Sequence, residues 1–291
     1  MRSTLRALLG ASYTATVIVL SACAADAPTA ASGIKATDVA LARAGYDQPG
    51  MHRQYGTPVK LGNGMARTYV VLDGKAGQSA VELGIALDEG ALDNLPNEGT
   101  EHSLLLQLPA QSPAPYQFAE LDWNPFGHDP AGVYDTPHFD FHFYAISKAE
   151  WSSIDPSDPN YAANASNVPT GAYVPPFYIT PGPPAVIAVP HMGVHWVDVR
   201  SPELQNLLGN PAGYLPFTKT FIYGSWAGRY TFYEPMVTRA YLLSKPSDVV
   251  TPISTPQLYP LAGSYPTAYR VTFDPQAKEY RVALTALVSR P

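Results

Sequence analysis

Cysteine is nearly absent from this chain: Cys23 is the only one in 291 residues, so no intrachain disulfide can staple the fold. Charge is scarce as well, with Asp, Glu, Lys and Arg making up 14% of the chain. Lys and Arg form no cluster, and the net charge of -6 becomes more negative if Arg2 and Arg6 leave with a leader. A nucleic-acid backbone or an anionic lipid surface would repel such a body, so nucleic acid is not an expected partner. Residues that fill exposed helix faces are few, whereas Tyr (19) and Pro (30) are plentiful, which favours strands and long loops. Nucleotide signatures are missing too. Gly62-Asn63-Gly64-Met65 lacks the third glycine of a dinucleotide loop, and Gly74-Lys75 lacks the upstream glycine and following Ser/Thr of a phosphate loop. Gly224-Ser225-Trp226-Ala227-Gly228 places its serine one position too early for a nucleophile elbow.

The amino terminus reads as an export signal. Arg2 and Arg6 precede an uncharged run from Ala7 to Leu20, which is too rich in Ser, Thr and Gly for a bilayer span of roughly 20 apolar residues. Leu20-Ser21-Ala22-Cys23 resembles the bacterial lipobox, in which the cysteine is acylated and the leader is cut just before it. Ordinary cleavage after Ala24 is the alternative, because Ala22-Cys23-Ala24 also fits the small-x-small rule. The expected organisation is a signal peptide over 1–22, a lipidated Cys23 with a Pro/Ala/Thr/Ser tether over 23–33, and one β-rich domain over 34–291. The body would then face the periplasm or exterior of a bacterial cell envelope, with the membrane as partner through its lipid.

Within that domain, short apolar or alternating runs separated by turn residues predict an all-β, antiparallel sandwich or barrel-like fold. The predicted strands are 66–72, 79–87, 103–108, 117–122, 138–146, 185–189, 218–223, 229–238, 268–273 and 279–287, the last two joined by a turn at Asp274-Pro275-Gln276-Ala277-Lys278. Helix signals are limited to a capping box at Ser147-Lys148-Ala149-Glu150 and a second segment at 201–208. The Pro-rich stretch 155–184 has no periodicity and is too long for a simple connector, which predicts a functional flap or a surface-hugging loop.

Chemistry concentrates in three places. In Pro137-His138-Phe139-Asp140-Phe141-His142-Phe143-Tyr144, strand alternation sends the phenylalanines to one face and His138, Asp140 and His142 to the other. His191 and His195 lie four apart around Gly193, which is read as a bulge. Glu234 shares a face with Phe232 and Met236, and a carboxylate on an apolar face needs a partner. Residues four apart on a strand are separated by roughly 13 Å, so His138 and His142 cannot readily share one ion, although either can share one with Asp140. Antiparallel pairing of the 191–195 segment with the first strand would bring the imidazoles together, with Glu234 beside them. The expected metal ligands are therefore His138, His142, His191 and His195, with Asp140 and Glu234 as ligands or catalytic base. Such a set suits a divalent transition metal (Zn, Fe, Mn, Ni or Cu) rather than Ca or Mg. His52 and His102 read as surface or strand-end residues, and His128 reads as a turn residue. A buried hydrogen-bond network without metal is the competing reading of the cluster.

The combination Gly127-His128-x-Pro130, Pro137 to Tyr144, Met192-Gly193-x-His195-Trp196 and Glu234-Pro235-Met236 resembles a bacterial family of secreted and lipoprotein domains of unknown function. The likeness covers most of the body from about Gly56 onward. It implies a β-sandwich or barrel-like fold and homo-oligomers, and no established reaction. Three function classes follow. The first is an envelope metalloprotein, as a metal-dependent hydrolase or oxygenase if it is an enzyme. The second is a non-catalytic module holding a sugar or peptide, and the third is an oligomeric structural component of the envelope.

Overall fold

Period-two alternation builds sixteen strands in a computed structural model that describes residues 50–74, 79–99 and 101–291. In chain order they are β1 (Met51–Tyr55), β2 (Val59–Leu61), β3 (Gly64–Asp73), β4 (Ser79–Asp88), β5 (His102–Leu106), β6 (Phe118–Asn124), β7 (His138–Tyr144) and β8 (Tyr178–Ile179). They continue with β9 (Val194–Asp198), β10 (Lys219–Trp226), β11 (Arg229–Thr238), β12 (Val249–Pro252), β13 (Gly263–Tyr265), β14 (Ala268–Asp274), β15 (Glu279–Thr285) and β16 (Val288–Arg290). The leader, Cys23 and the tether lie outside the described residues.

Two seven-stranded antiparallel sheets form a sandwich. The first runs β1-β3-β4-β15-β14-β12 with β2 added on β3; the second runs β5-β6-β7-β11-β10-β9-β8. A small β13-β16 pair stands apart from both. Inward-facing residues of both sheets make one apolar core, with Val70, Leu83, Ile85 and Val282 from the first sheet and Phe139, Phe141, Phe143 and Val237 from the second. Burying each of these large side chains contributes about 1.5–3 kcal/mol, so the three phenylalanines of β7 alone pin that strand's orientation. The β14-β15 hairpin closes as its turn residues predict, with Asp274 Oδ1 accepting from the amides of Gln276 and Ala277 at 2.9 Å each.

The outer face of the second sheet carries its own apolar layer, in which Phe118, Tyr144, Ile222, Phe232 and Met236 meet Val133, Tyr134, Ile154, Ala165, Leu204 and Phe217 from the connecting segments. The long Pro-rich stretch is part of this cover. It contains a short helix, Tyr161–Ser166, whose Ala165 is buried against the sheet, and Asn164 and Asn167 carbonyls accept from Ala227 and Gly228 in the β10-β11 turn. The capping box at Ser147 opens the helix Lys148–Ser153 as expected, its hydroxyl accepting from the Glu150 amide.

Two expectations fail locally. Residues 185–189 are not a strand; Pro184–Ile187 forms one helical turn, because Pro184 supplies a preset φ at the first helical position and the Ile187 and Ala188 amides find the Pro183 and Pro184 carbonyls. Residues 201–208 shorten to a 3₁₀ turn at Pro202–Leu204. Among the described residues the short α-helices number four rather than one or two.

Removing the Phe141 ring should leave a cavity between the sheets and cost about 3–5 kcal/mol. Urea titration of Phe141→Ala should show that loss as a lower midpoint at an unchanged slope; a loss under about 1 kcal/mol would place this ring outside the core.

Candidate metal centre

The alternation along β7 has the consequence read from its sequence. Phe139, Phe141 and Phe143 enter the inter-sheet core, while His138, Asp140 and His142 face the covered outer side and are all at most 3% exposed. The neighbouring strand β6 repeats the pattern. In register, Glu120 stands opposite His142, Asp122 opposite Asp140 and Asn124 opposite His138, which extends the polar face by three buried side chains. On the other side, β11 brings Glu234 to the same face between Phe232 and Met236. The β7-β11 register holds from Phe232↔Tyr144 to Thr238↔His138 but skips Glu234 and Pro235, where proline has no amide to donate.

These residues converge in two groups of three. In the first, single ligand atoms of His142, His195 and Glu234 lie within 4.8 Å of one another; in the second, those of His128, His138 and Asp140 do so. His138 and His142 therefore belong to different groups, as strand spacing requires. The His142 ring is bracketed by acids, its Nδ1 3.0 Å from Asp122 Oδ2 and its Nε2 3.5 Å from Glu234 Oε2. Neither contact has the alignment of a hydrogen bond. Both ring nitrogens of His142, both oxygens of Asp122, Oε2 of Glu234, Nε2 of His138 and Oδ1 of Asp140 are buried without a hydrogen-bond partner. Buried polar atoms normally find well-aligned partners, and here they meet oppositely charged groups without that alignment, which marks this face as a candidate metal site.

His195 reaches its group by a route other than the expected one. Its strand, β9, does not pair with β7; β11 and β10 stand between them. His195 pairs with Gly224 of β10, and Gly224 in turn faces Phe232 of β11. A Cβ at Gly224 would lie 1.9 Å from the Phe232 ring, so the glycine allows that ring to lie across β10. Phe232 is then edge-on to both His142 (centroids 4.7 Å apart) and His195 (5.3 Å), an apolar wedge beside the group.

His191 joins neither group. The chain turns at Val189–Gly193 rather than forming a bulged strand, with the Met192 and Gly193 amides donating to the Val189 carbonyl. That leaves His191 at φ 66°, stacked on Trp151 at 4.3 Å with Nδ1 3.2 Å from the Trp151 carbonyl. Gly193 is required by its own φ of 91° and by the Ser225 carbonyl, which a Cβ would approach to 2.3 Å. His52 sits exposed on edge strand β1 and His102 opens β5, the surface and strand-end positions expected of them.

His128 is the functional candidate that its local sequence conceals. Its Gly/Asp/Pro surroundings form a turn as read, yet the turn places Nε2 3.3 Å from Asp140 Oδ2. Glu120 and Asp122 are also additions, and the same alternation that exposed the β7 face shows them in Glu120-x-Asp122-x-Asn124.

The electrostatics follow from this crowding. Burial alone would lower the His142 pKa, but Glu234 and Asp122 outweigh it and push it up to about 10. At His128 burial is likewise outweighed, by Asp140, to about 9. Burial drives Glu234 up to about 8 against the pull of His142, and Glu120 up to about 7 with help from Asp122. His195 is pushed down to about 3 by burial and by the neighbouring His142 and His128, and so is neutral. Burial would raise Asp140, but His138 and His128 hold it well below the usual carboxylate range. Imidazoles and carboxylates at such spacing match the donor set of a borderline transition metal, which would displace their protons.

No protein-family model, curated protein or solved structure matches this chain. Among the described residues no helix is long and apolar enough to cross a membrane.

In chelator-treated protein, His142, His128 and Glu234 hold protons to higher pH than their ordinary values of 6.5 and 4.5. Their contribution to stability is complete below about pH 4.5 and is lost as pH rises through the folded values, up to about 10. Thermal melts in chelator should therefore fall between pH 7 and 9.5, whereas metal-loaded protein, whose ligands must be deprotonated, should resist that fall. A chelated melting temperature that rises over this interval would contradict the assignment of protons to this face.

Proposed function

We propose that this protein is an exported lipoprotein, anchored at a bacterial envelope through Cys23, whose β-sandwich binds a divalent transition metal at His142, His195 and Glu234. The observation that carries the metal reading is the group's geometry: two imidazoles and a carboxylate converge within 4.8 Å, and both nitrogens of His142 lack any hydrogen bond. A buried network that existed only to fix strand register would satisfy its own donors and acceptors. Asp122 completes the arrangement from behind, because a carboxylate against the second nitrogen of a ligating histidine orients the ring and raises its basicity. The metals that such ligands suit are Zn, Fe, Mn, Ni or Cu. A metal held by these residues would supply Lewis-acid or oxygen-activating chemistry, so the corresponding enzyme class is a metal-dependent hydrolase or oxygenase, with Glu234 as ligand or base and Asp140 as the further carboxylate on the same face. The likeness of the His138–Tyr144 and Met192–Trp196 motifs to secreted lipoprotein domains, together with the leader, supports the envelope location.

Elemental analysis of the purified protein should find stoichiometric transition metal that drops in His142→Ala and His195→Ala. Asp122→Asn, which keeps the shape and removes the charge, should weaken metal affinity roughly 10–100-fold without abolishing it. Metal absent from wild type after loading and desalting would overturn the reading. For the anchor, Cys23→Ser should move the protein from the membrane fraction to the soluble one; unchanged membrane association would refute lipidation at this residue.

A further inference from the structure

The second group, His128, His138 and Asp140, is a separate metal site, and we propose that it binds its own divalent transition metal ion, tying the 125–137 loop to the sheet through His128. This inference rests on the metal reading of the face and extends it from one ion to two. Each imidazole is already committed on one side. His138 Nδ1 lies 2.6 Å from the Thr136 carbonyl, and His128 Nδ1 lies 2.7 Å from the Asp129 carbonyl. A carbonyl only accepts, so each Nδ1 carries a proton and each ring turns its Nε2 toward the site. Both Nε2 atoms face the same carboxylate, His138 at 3.2 Å from Asp140 Oδ1 and His128 at 3.3 Å from Oδ2. Asp140 is in turn held by Asn124, whose amide donates to Oδ2 at 2.8 Å. A metal ion held by these three groups would take the place of any proton that Nε2 carries toward the carboxylate. Histidines backed by carbonyls and a carboxylate steadied by an amide are the outer contacts that metal ligands take. His138 Nε2 and Asp140 Oδ1 are both buried and have no hydrogen-bond partner.

Charge points the same way. Glu120, Asp122, Asp140 and Glu234 are four carboxylates on one face, each at most 4% exposed. The groups that dominate the field at Glu120, Asp140 and Glu234 are histidines and other carboxylates, with no lysine or arginine among them. A cation bound here would therefore compete with protons rather than with a fixed basic side chain.

His128 distinguishes the two sites, because it comes from a loop. Gly127 turns the chain at φ 71°, the His128 amide donates to the Tyr134 carbonyl at 3.2 Å, and Val133 and Tyr134 seat the loop in the apolar cover. The His128 side chain remains 38% exposed, so this ion would be the solvent-facing member of the pair.

The test is a cobalt(II) titration of the chelator-stripped full-length protein, with bound metal counted by elemental analysis. Wild type should take up two equivalents. His128→Ala, at an exposed position that folding tolerates, and His195→Ala should each take up one, and the double variant none. Protease cleavage within 125–137 should slow on loading in wild type and not in His128→Ala. Two equivalents retained by His128→Ala, or a single equivalent in wild type, would overturn the second site. In the latter case a count abolished only by His195→Ala would leave the first reading standing. A count of zero throughout would remove both.

Discussion

Buried negative charge is the constraint on which the rest of this structure depends. An ion taken out of water costs several kcal/mol even after the protein relaxes, and only a close opposite charge recovers it. The two sheets solve this differently. On the first sheet, buried Glu82 is 3.4 Å from Arg270, and Glu279 is 2.8 Å from Arg281 with Arg67 on its other oxygen. Arginine is permanently charged and cannot give way to another cation, so those pairs are structural. On the second sheet, Asp122, Asp140 and Glu234 face imidazoles, whose charge is conditional. A histidine can carry the compensating charge as a proton or yield that place to a metal, which makes this face exchangeable where the other is fixed.

A single strand couples that chemistry to the fold. β7 is buried on both sides because its phenylalanines fill the inter-sheet core and its polar residues lie under the covering segments. Sliding it by one residue would send three rings into the histidine face and two imidazoles into the core, so the core packing that stabilises the sandwich also sets the register of the candidate site. The placement of His138, Asp140 and His142 thus derives from hydrophobic burial on the opposite side of the same backbone.

Period-two patterns were legible, and they located both sheet faces. The strand limits over Arg229–Thr238 agree with the sequence reading residue for residue, and the His138-x-Asp140-x-His142 and Phe232-x-Glu234-x-Met236 faces lie as alternation requires. Strand order was not legible, because it depends on pairings between segments far apart in the chain. Local pattern alone puts His195 beside β7, whereas it lies three strands away. His191 and His128 fail as a pair for a related reason. Spacing of four from His195 made His191 look like a ligand, yet a turn at Val189–Gly193 swings it onto Trp151, while the turn that made His128 look ordinary swings it onto Asp140. Local sequence identifies a turn, but where its side chain lands depends on tertiary packing.

The reach from β7 to β9 shows how much of the site is encoded by a missing side chain. Three strand spacings of about 4.8 Å separate the two backbones by roughly 14 Å, which two imidazoles can bridge only by leaning toward each other across whatever stands between. Between them β11 presents Phe232, and any side chain on the facing position of β10 would compete with that ring for the same volume. Gly224 removes the competitor; the Phe232 ring settles across the vacant position, edge-on to His142 and His195, and Glu234, two residues on, meets them from the same strand. A glycine inside a central strand weakens the strand and gives up packing of its own. That cost is offset here by the aromatic cover, so the residue that contributes no functional group sets the distance over which the others act.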